Sequence, residues 1–151
     1  MFLGEYAAKL DGKGRVIFPA VLRRQNETED RGTYVLKRGI YVPNYVLYTL
    51  EDFQRQAARI RESVNRYNRE GDQFVREFCR ASEIVTLDAS DRILLSKRHL
   101  EHLGATTDVL FVGQFDCIEL WEIGQYQRAQ LEGESYSTLT ERMLGHSNDS
   151  L

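Results

Sequence analysis

The chain has 151 residues, 42% of them hydrophobic and 28% charged, with a formal net charge of −3. These values belong to a globular protein and exclude a disordered, collagenous or fibrous chain, while the length suits one compact domain or two small ones packed together. Charge is unevenly spread: residues 9–24 hold Lys9, Lys13, Arg15, Arg23 and Arg24 against Asp11, a local +4, whereas residues 101–151 carry a local −7, which leaves one end suited to polyanions.

No apolar run approaches the roughly 18 residues that span a bilayer. The opening Met1-Phe2-Leu3-Gly4-Glu5-Tyr6 has neither the basic nor the apolar region of a signal peptide, so a cytoplasmic protein without membrane contact is expected. Further along, Asp11-Gly12-Lys13-Gly14 is a strong hairpin signal, because these residues accept the positive φ that a twisted two-strand connection needs. Pro19 then opens a short helix, Ala20 to Gln25. Strand residues Tyr34-Val35-Leu36 and Leu47-Tyr48 follow, and Thr49 with Asp52 resembles a capping box. Phe53, Ala57, Ile60, Val64 and Tyr67 recur at helical spacing, which predicts one amphipathic helix stopped at Gly71. A second helix runs through Phe74, Val75, Phe78 and Cys79.

From Leu87 the pattern begins again. Leu10-Asp11-Gly12-Lys13-Gly14-Arg15-Val16-Ile17-Phe18 aligns with Leu87-Asp88-Ala89-Ser90-Asp91-Arg92-Ile93-Leu94-Leu95 at an offset of 77, with every apolar position, the Asp and the Arg in common. Tyr34-Val35-Leu36 matches Leu110-Phe111-Val112 at an offset of 76, and Leu47-Tyr48 with Phe53 matches Leu120-Trp121 with Tyr126 at 73. Ser96 stands where Pro19 stood and caps a helix that Gly104 ends. A last helix is predicted near Gln125 to Leu131. The polar remainder reads as a partly mobile tail with one or two helical turns around Thr138 to Leu144. Two copies of one supersecondary unit result, each too small to bury its apolar face alone.

The chemistry-bearing pattern is Asp-x-x-x-Arg, present as Asp11 with Arg15 and as Asp88 with Arg92. In a turn the carboxylate can cap backbone N–H groups and hold the guanidinium as a fixed fork for a phosphate or a base edge. Two imidazoles, His99 and His102, lack a third ligand nearby, so no metal site is assigned. Seven arginines in residues 51–80 alternate with six acids and read as a salt-bridged helix surface or a subunit contact. The aromatic residues Tyr48, Phe53, Trp121 and Tyr126 are read as packing, and Cys79 and Cys117 as reduced core residues. A hydrolase using Asp11 and Asp88 would need a base or metal that the sequence does not offer. The chain is read as a non-enzyme with no cofactor and no small-molecule substrate.

Phe2-Leu3-Gly4-Glu5-Tyr6, Leu10 to Pro19, Asp88-x-x-x-Arg92, and Val112-Gly113-Gln114-Phe115 with Glu119-Leu120-Trp121 together resemble the MraZ family of bacterial transcriptional regulators, over residues 1 to about 130. The resemblance implies an α+β, β-rich fold in which two SpoVT-AbrB-like halves form a pseudo-symmetric swapped-hairpin β-barrel with helices outside. It places the first repeat at 1–54, connecting helices at 55–81, the second repeat at 82–130 and a tail at 131–151. It also implies a nucleoid-associated homo-oligomer, a ring of subunits, that binds double-stranded DNA repeats in the promoter of the division and cell-wall gene cluster. On that resemblance Lys13 and Arg15 are the leading DNA contacts, and Lys9, Arg23 and Arg24 supporting phosphate contacts. Asp91 opposes binding beside Arg92, which sets Arg92, Lys97 and Arg98 apart as the less favoured cations. The alternative expectation is an AbrB-like protein-interaction or antitoxin-type module with secondary DNA binding.

Overall fold

Alternating burial sets the first strand, β1 (Phe2–Lys9): Phe2, Tyr6 and Ala8 turn toward the core while Leu3, Glu5, Ala7 and Lys9 are exposed. A turn leads to β2 (Arg15–Ile17), then α1 (Ala20–Gln25), β3 (Thr33–Arg38), β4 (Tyr45–Thr49) and α2 (Leu50–Ser63). After α3 (Arg69–Arg80) the succession repeats as β5 (Ser82–Thr86), β6 (Arg92–Leu94), α4 (Lys97–Leu103), β7 (Asp108–Phe115), β8 (Cys117–Glu122) and α5 (Ile123–Glu132), and α6 (Tyr136–Leu144) ends it. The computed structural model describes residues 1–145. The helix at Tyr136–Leu144 is longer than the one or two turns expected there, and the rest of the predicted tail lies outside the described residues.

The molecule is α+β, and every strand pair is antiparallel. Six strands form one sheet in the order β1-β7-β8-β4-β3-β5, and β2 pairs with β6 in a separate two-stranded ribbon. The order reads the same from both ends once β1, β3 and β4 are matched with β5, β7 and β8. Each copy's first strand therefore lies on the other copy's third strand, β1 on β7 and β5 on β3. This corrects the expectation of a paired hairpin at Asp11. The Asp11 N–H donates to the Arg15 carbonyl at 2.9 Å, but the two strands then part, β1 to β7 and β2 to β6. Completing the apolar core with strands of the other copy outweighs local pairing across the turn.

That core joins both copies. Phe18 stacks on Tyr34 with ring centroids 4.9 Å apart and meets Phe111 edge-on at 5.6 Å, while Val16 and Ile93 enter from the ribbon. Each such side chain, fully buried, contributes about 1.5–3 kcal/mol. The Tyr34 hydroxyl is satisfied by donating to the Arg31 carbonyl at 3.2 Å and accepting from Asn26 Nδ2 at 3.1 Å.

The register corrects one alignment. Tyr34 and Leu36 face the shared core, and so do Val109 and Phe111, whereas Leu110 and Val112 join Trp121 in a second cluster on the opposite face. The equivalence of β3 and β7 is thus an offset of 75, not 76. It agrees with the ladder, in which Leu36 faces Leu47 as Phe111 faces Leu120. Apolar residues on both faces hide the period of two that would have set the register.

The connecting helices correct two more expectations. α2 ends at Ser63, Tyr67 lies outside any helix and is fully exposed, and Gly71 sits inside α3 instead of stopping a helix. The Asn68 side chain caps α3 by accepting the Gly71 N–H at 2.7 Å. A Cβ on Gly71 would run into the Asn65 carbonyl oxygen, so the tight break between α2 and α3 requires glycine there. Neither cysteine is a core residue. Cys79 is exposed, one helical step round from the half-buried Phe78, and Cys117 is half-buried, its thiol pushed up to about 12 by burial and by Asp116 and Glu119 nearby. Ser96 caps α4 as expected: its hydroxyl accepts the His99 N–H at 3.3 Å, its own N–H donates to His99 Nδ1 at 3.0 Å, and Gly104 ends the helix.

Candidate nucleic-acid interface

The two Asp-x-x-x-Arg turns fold alike. In the first, Asp11 Oδ1 accepts the N–H groups of Lys13 and Arg15, each at 2.9 Å, and Oδ2 accepts Arg15 Nε at 2.7 Å. In the second, Asp88 Oδ1 accepts from Ser90 and Arg92 at 2.9 Å, and Oδ2 accepts Arg92 Nε at 2.9 Å. A carboxylate four residues before the arginine can bond the turn's backbone and the guanidinium together, which explains the spacing. The Arg15 amide leads in holding the Asp11 carboxyl down at about 2, and the Arg92 amide leads in lowering Asp88 likewise.

The ribbon brings the turns together. Arg15 lies opposite Leu94, Val16 opposite Ile93 and Ile17 opposite Arg92. Val16 and Ile93 point into the core, so Arg15, Ile17, Arg92 and Leu94 share the outer face. Each arginine is pinned through Nε, and its terminal nitrogens make no hydrogen bond to its own carboxylate; Arg92 Nη1 also reaches to 4.0 Å of Asp11 Oδ2 and links the two turns.

Gly14 and Asp91 occupy one of three matched turn positions that differ. Both have positive φ, 81° and 59°. Asp is one of the few side chains that tolerates this region. The Asp91 carboxylate pairs with Arg23 of α1, and this contact raises the Arg23 pKa. The Asp91 carboxylate, expected to oppose binding beside Arg92, thus also engages Arg23.

The remaining cations are dispersed. Lys13 is exposed in the first turn, Lys9 is exposed on β1 at the register position of Asp108, and Arg24 is exposed on α1. Lys97 is exposed on α4, while Arg98 donates to Glu83 at 2.9 Å. On the connecting helices Arg55 pairs with Asp52, Arg76 with Asp72 and Arg80 with Glu77, a salt-bridged surface as the alternation of charge predicts. His99 faces Glu83 through Nε2 at 2.9 Å and His102 lies 3.0 Å from the Asn44 carbonyl, so both imidazoles are committed to local contacts. Trp121 and Tyr126 pack edge-on, with centroids 5.4 Å apart. Among the described residues no group of three or more His, Cys, Asp and Glu could hold a metal ion, and no helix is long and apolar enough to cross a membrane. Sequence reasoning passed over Ile17 and Leu94, although strict alternation around Val16 and Ile93 places them beside the arginines.

Comparison with known proteins gives a consistent result. A family model described as "MraZ protein, putative antitoxin-like" matches residues 1–75 and 78–147. The Transcriptional regulator MraZ of Bacteroides fragilis is 31% identical over 143 residues, covering 95% of this chain and 90% of that protein. The proteins of the same name from Phocaeicola vulgatus and Mycobacterium ulcerans are each 32% identical, the first over 148 residues (98% of this chain and 96% of its own) and the second over 146 (96% and 98%).

Proposed function

The chain belongs to the MraZ family, and from that premise we propose that it is a transcriptional regulator that binds double-stranded promoter DNA through the ribbon of β2 and β6. The observation that carries this reading is the outer face of the ribbon, where two arginines are each fixed through Nε by an aspartate of their own turn. Guanidinium groups held this way meet a phosphate or a guanine edge with little further loss of freedom. Lys13 extends the face at the first turn, and Arg15 is the leading contact. Lys9 and Arg24 supply phosphate contacts beyond it, and Arg23 joins them when released from Asp91. Arg92, Lys97 and Arg98 serve the second half.

In this proposal residues 1–54 and 82–130 are the two SpoVT-AbrB-like repeats, 55–81 connects them, 131–151 is a tail, and sheet and ribbon curl into one swapped-hairpin barrel. The targets are repeats upstream of the division and cell-wall genes, and the protein acts in the cytoplasm at the nucleoid. Few cations per subunit give modest affinity, which a ring of subunits on tandem sites multiplies through effective concentration. One observation favours a second reading, an antitoxin-type interaction module: α6 exposes Tyr136, Leu139 and Met143 in an acidic segment.

Fluorescence anisotropy of labelled DNA from upstream of the protein's own coding sequence, against scrambled DNA across a salt series, tests the reading. Selective binding that weakens steeply with salt and is lost in Arg15→Ala is expected. Equal binding of both DNAs, or an unaffected Arg15→Ala, overturns it.

A further inference from the structure

Two large aliphatic side chains stand on the arginine face with no part in either apolar cluster. Ile17 is 62% exposed and Leu94 60% exposed, while their strand neighbours Val16 and Ile93 are 1% exposed. They are also matched positions of the two copies, related by the same offset as Arg15 and Arg92. More than half of each side chain remains open to solvent, although Ile17 borders a shallow hollow with Tyr6, Pro19 and Val21. Their positions opposite Arg92 and Arg15 tie them to the cations.

Resting on the DNA-binding reading above, we propose that Ile17 and Leu94 are specificity-determining residues that contact the C5-methyl groups of thymine in the major groove. A two-stranded ribbon fits that groove, and the thymine methyl is the apolar feature its floor presents. Directly opposite residues on a ribbon have Cβ atoms about 4.5–5.5 Å apart, so each arginine shares its footprint with one aliphatic side chain. Residues two apart on a strand are separated by about 6.6–6.8 Å, close to two base-pair steps of 3.4 Å. The face thus carries two equivalent units, Arg15 with Leu94 and Arg92 with Ile17. Each arginine reads a guanine or a phosphate, and each aliphatic group reads a thymine within about two steps of it. Charge decides the occupant: an apolar patch interrupted by two arginines, with Lys13 exposed at the adjacent turn, suits a polyanion and disfavours an uncharged protein surface.

Replacing thymines of the upstream DNA one at a time with deoxyuridine removes the methyl and keeps the base pair. In the wild type, substitution at a few discrete positions is expected to weaken binding about fourfold each, the worth of one buried methyl group. Ile17→Ala abolishes the sensitivity at one set of positions and Leu94→Ala at the other, and neither changes the salt slope because neither alters charge. Both variants unfold at the wild-type midpoint, since the side chains are exposed. Selective binding with no sensitivity to deoxyuridine anywhere overturns the proposal and leaves the DNA reading standing. Sensitivity that persists in both variants while their assembly mass changes also overturns it, and makes Ile17 and Leu94 a contact between copies. Absence of any DNA binding by the wild type removes both readings together.

Discussion

Gly14 and Asp91 take the same place in two superposable turns. The Gly14 carbonyl accepts the Leu95 N–H at 2.8 Å, and the Asp91 carbonyl accepts the Phe18 N–H at 2.9 Å, so each turn clasps the strand end of the other copy. One position is filled by the residue best suited to positive φ. The other is filled by an acid that engages Arg23.

Asp91→Gly relieves a left-handed Asp, whose cost is of order 1 kcal/mol, and breaks an exposed, solvent-screened ion pair, so the two effects oppose each other. Stability is expected to change by less than about 1 kcal/mol. Release of Arg23 strengthens DNA binding and steepens the salt slope by about one phosphate contact. Salt-dependent anisotropy reads this, and an unchanged slope would count against Arg23 as a latent contact.

Gly14→Ala has the opposite character. A Cβ there would lie 2.6 Å from the Leu95 carbonyl oxygen, in a backbone conformation that alanine disfavours. The left-handed conformation alone costs about 1–2 kcal/mol, and the displaced carbonyl adds to it. Urea unfolding should show a loss of at least that size; a variant as stable as the wild type would refute the assigned contact.

Acid should unfasten the turns. Asp11 lies at about 2, against an ordinary 3.8, and Asp88 is lowered as well, so both favour the folded state as carboxylates. The Asp11 contribution is complete above the unfolded value near 3.8 and is lost as pH falls through its folded value near 2, and that of Asp88 is lost in the same direction. In Asp11→Asn, stability measured by urea unfolding from pH 5 downward should fall less across that interval. An unaltered acid limb would mean that the turn bonds do not couple to folding.

Val16 and Ile17 are neighbours with opposite fates. Val16→Asp buries a charge in the shared core at a cost of several kcal/mol and should abolish the cooperative transition seen by circular dichroism. Ile17→Asp places the same charge in solvent, folds normally, and repels DNA from the ribbon. Equal damage from both would invalidate the inward and outward assignment of β2.

Much of this arrangement was legible in the residues. The helix caps at Thr49 and Ser96, and the duplicated Asp-x-x-x-Arg turn, are signalled by short-range chemistry, and short-range chemistry decides them. What escaped is what depends on partners distant in sequence. The one-residue register of β7 was hidden because Leu110, Phe111 and Val112 are all buried. The separation of β1 from β2 was hidden because an Asp-Gly turn looks the same whether its strands pair with each other or with strands of another copy. Helical spacing likewise carried α2 past Val64, where the chain breaks and Asn68 begins a new helix with its own side chain. At the candidate site the arginines were evident. Their aliphatic companions emerged only once the ribbon showed which side of β2 faces outward.

The exchange of first strands between the copies also governs when the protein can fold during synthesis. β1 must wait for β7, about 100 residues later, and β2 for β6, about 77 later. A nascent chain released up to the end of α3 presents four unsatisfied strand edges, those of β1, β2, β3 and β4, and an open apolar face. Only when β8 has cleared the ribosome can both ends of the sheet close. Contacts this distant slow folding and leave the emerging half dependent on the cell's chaperones for longer than a tandem arrangement would.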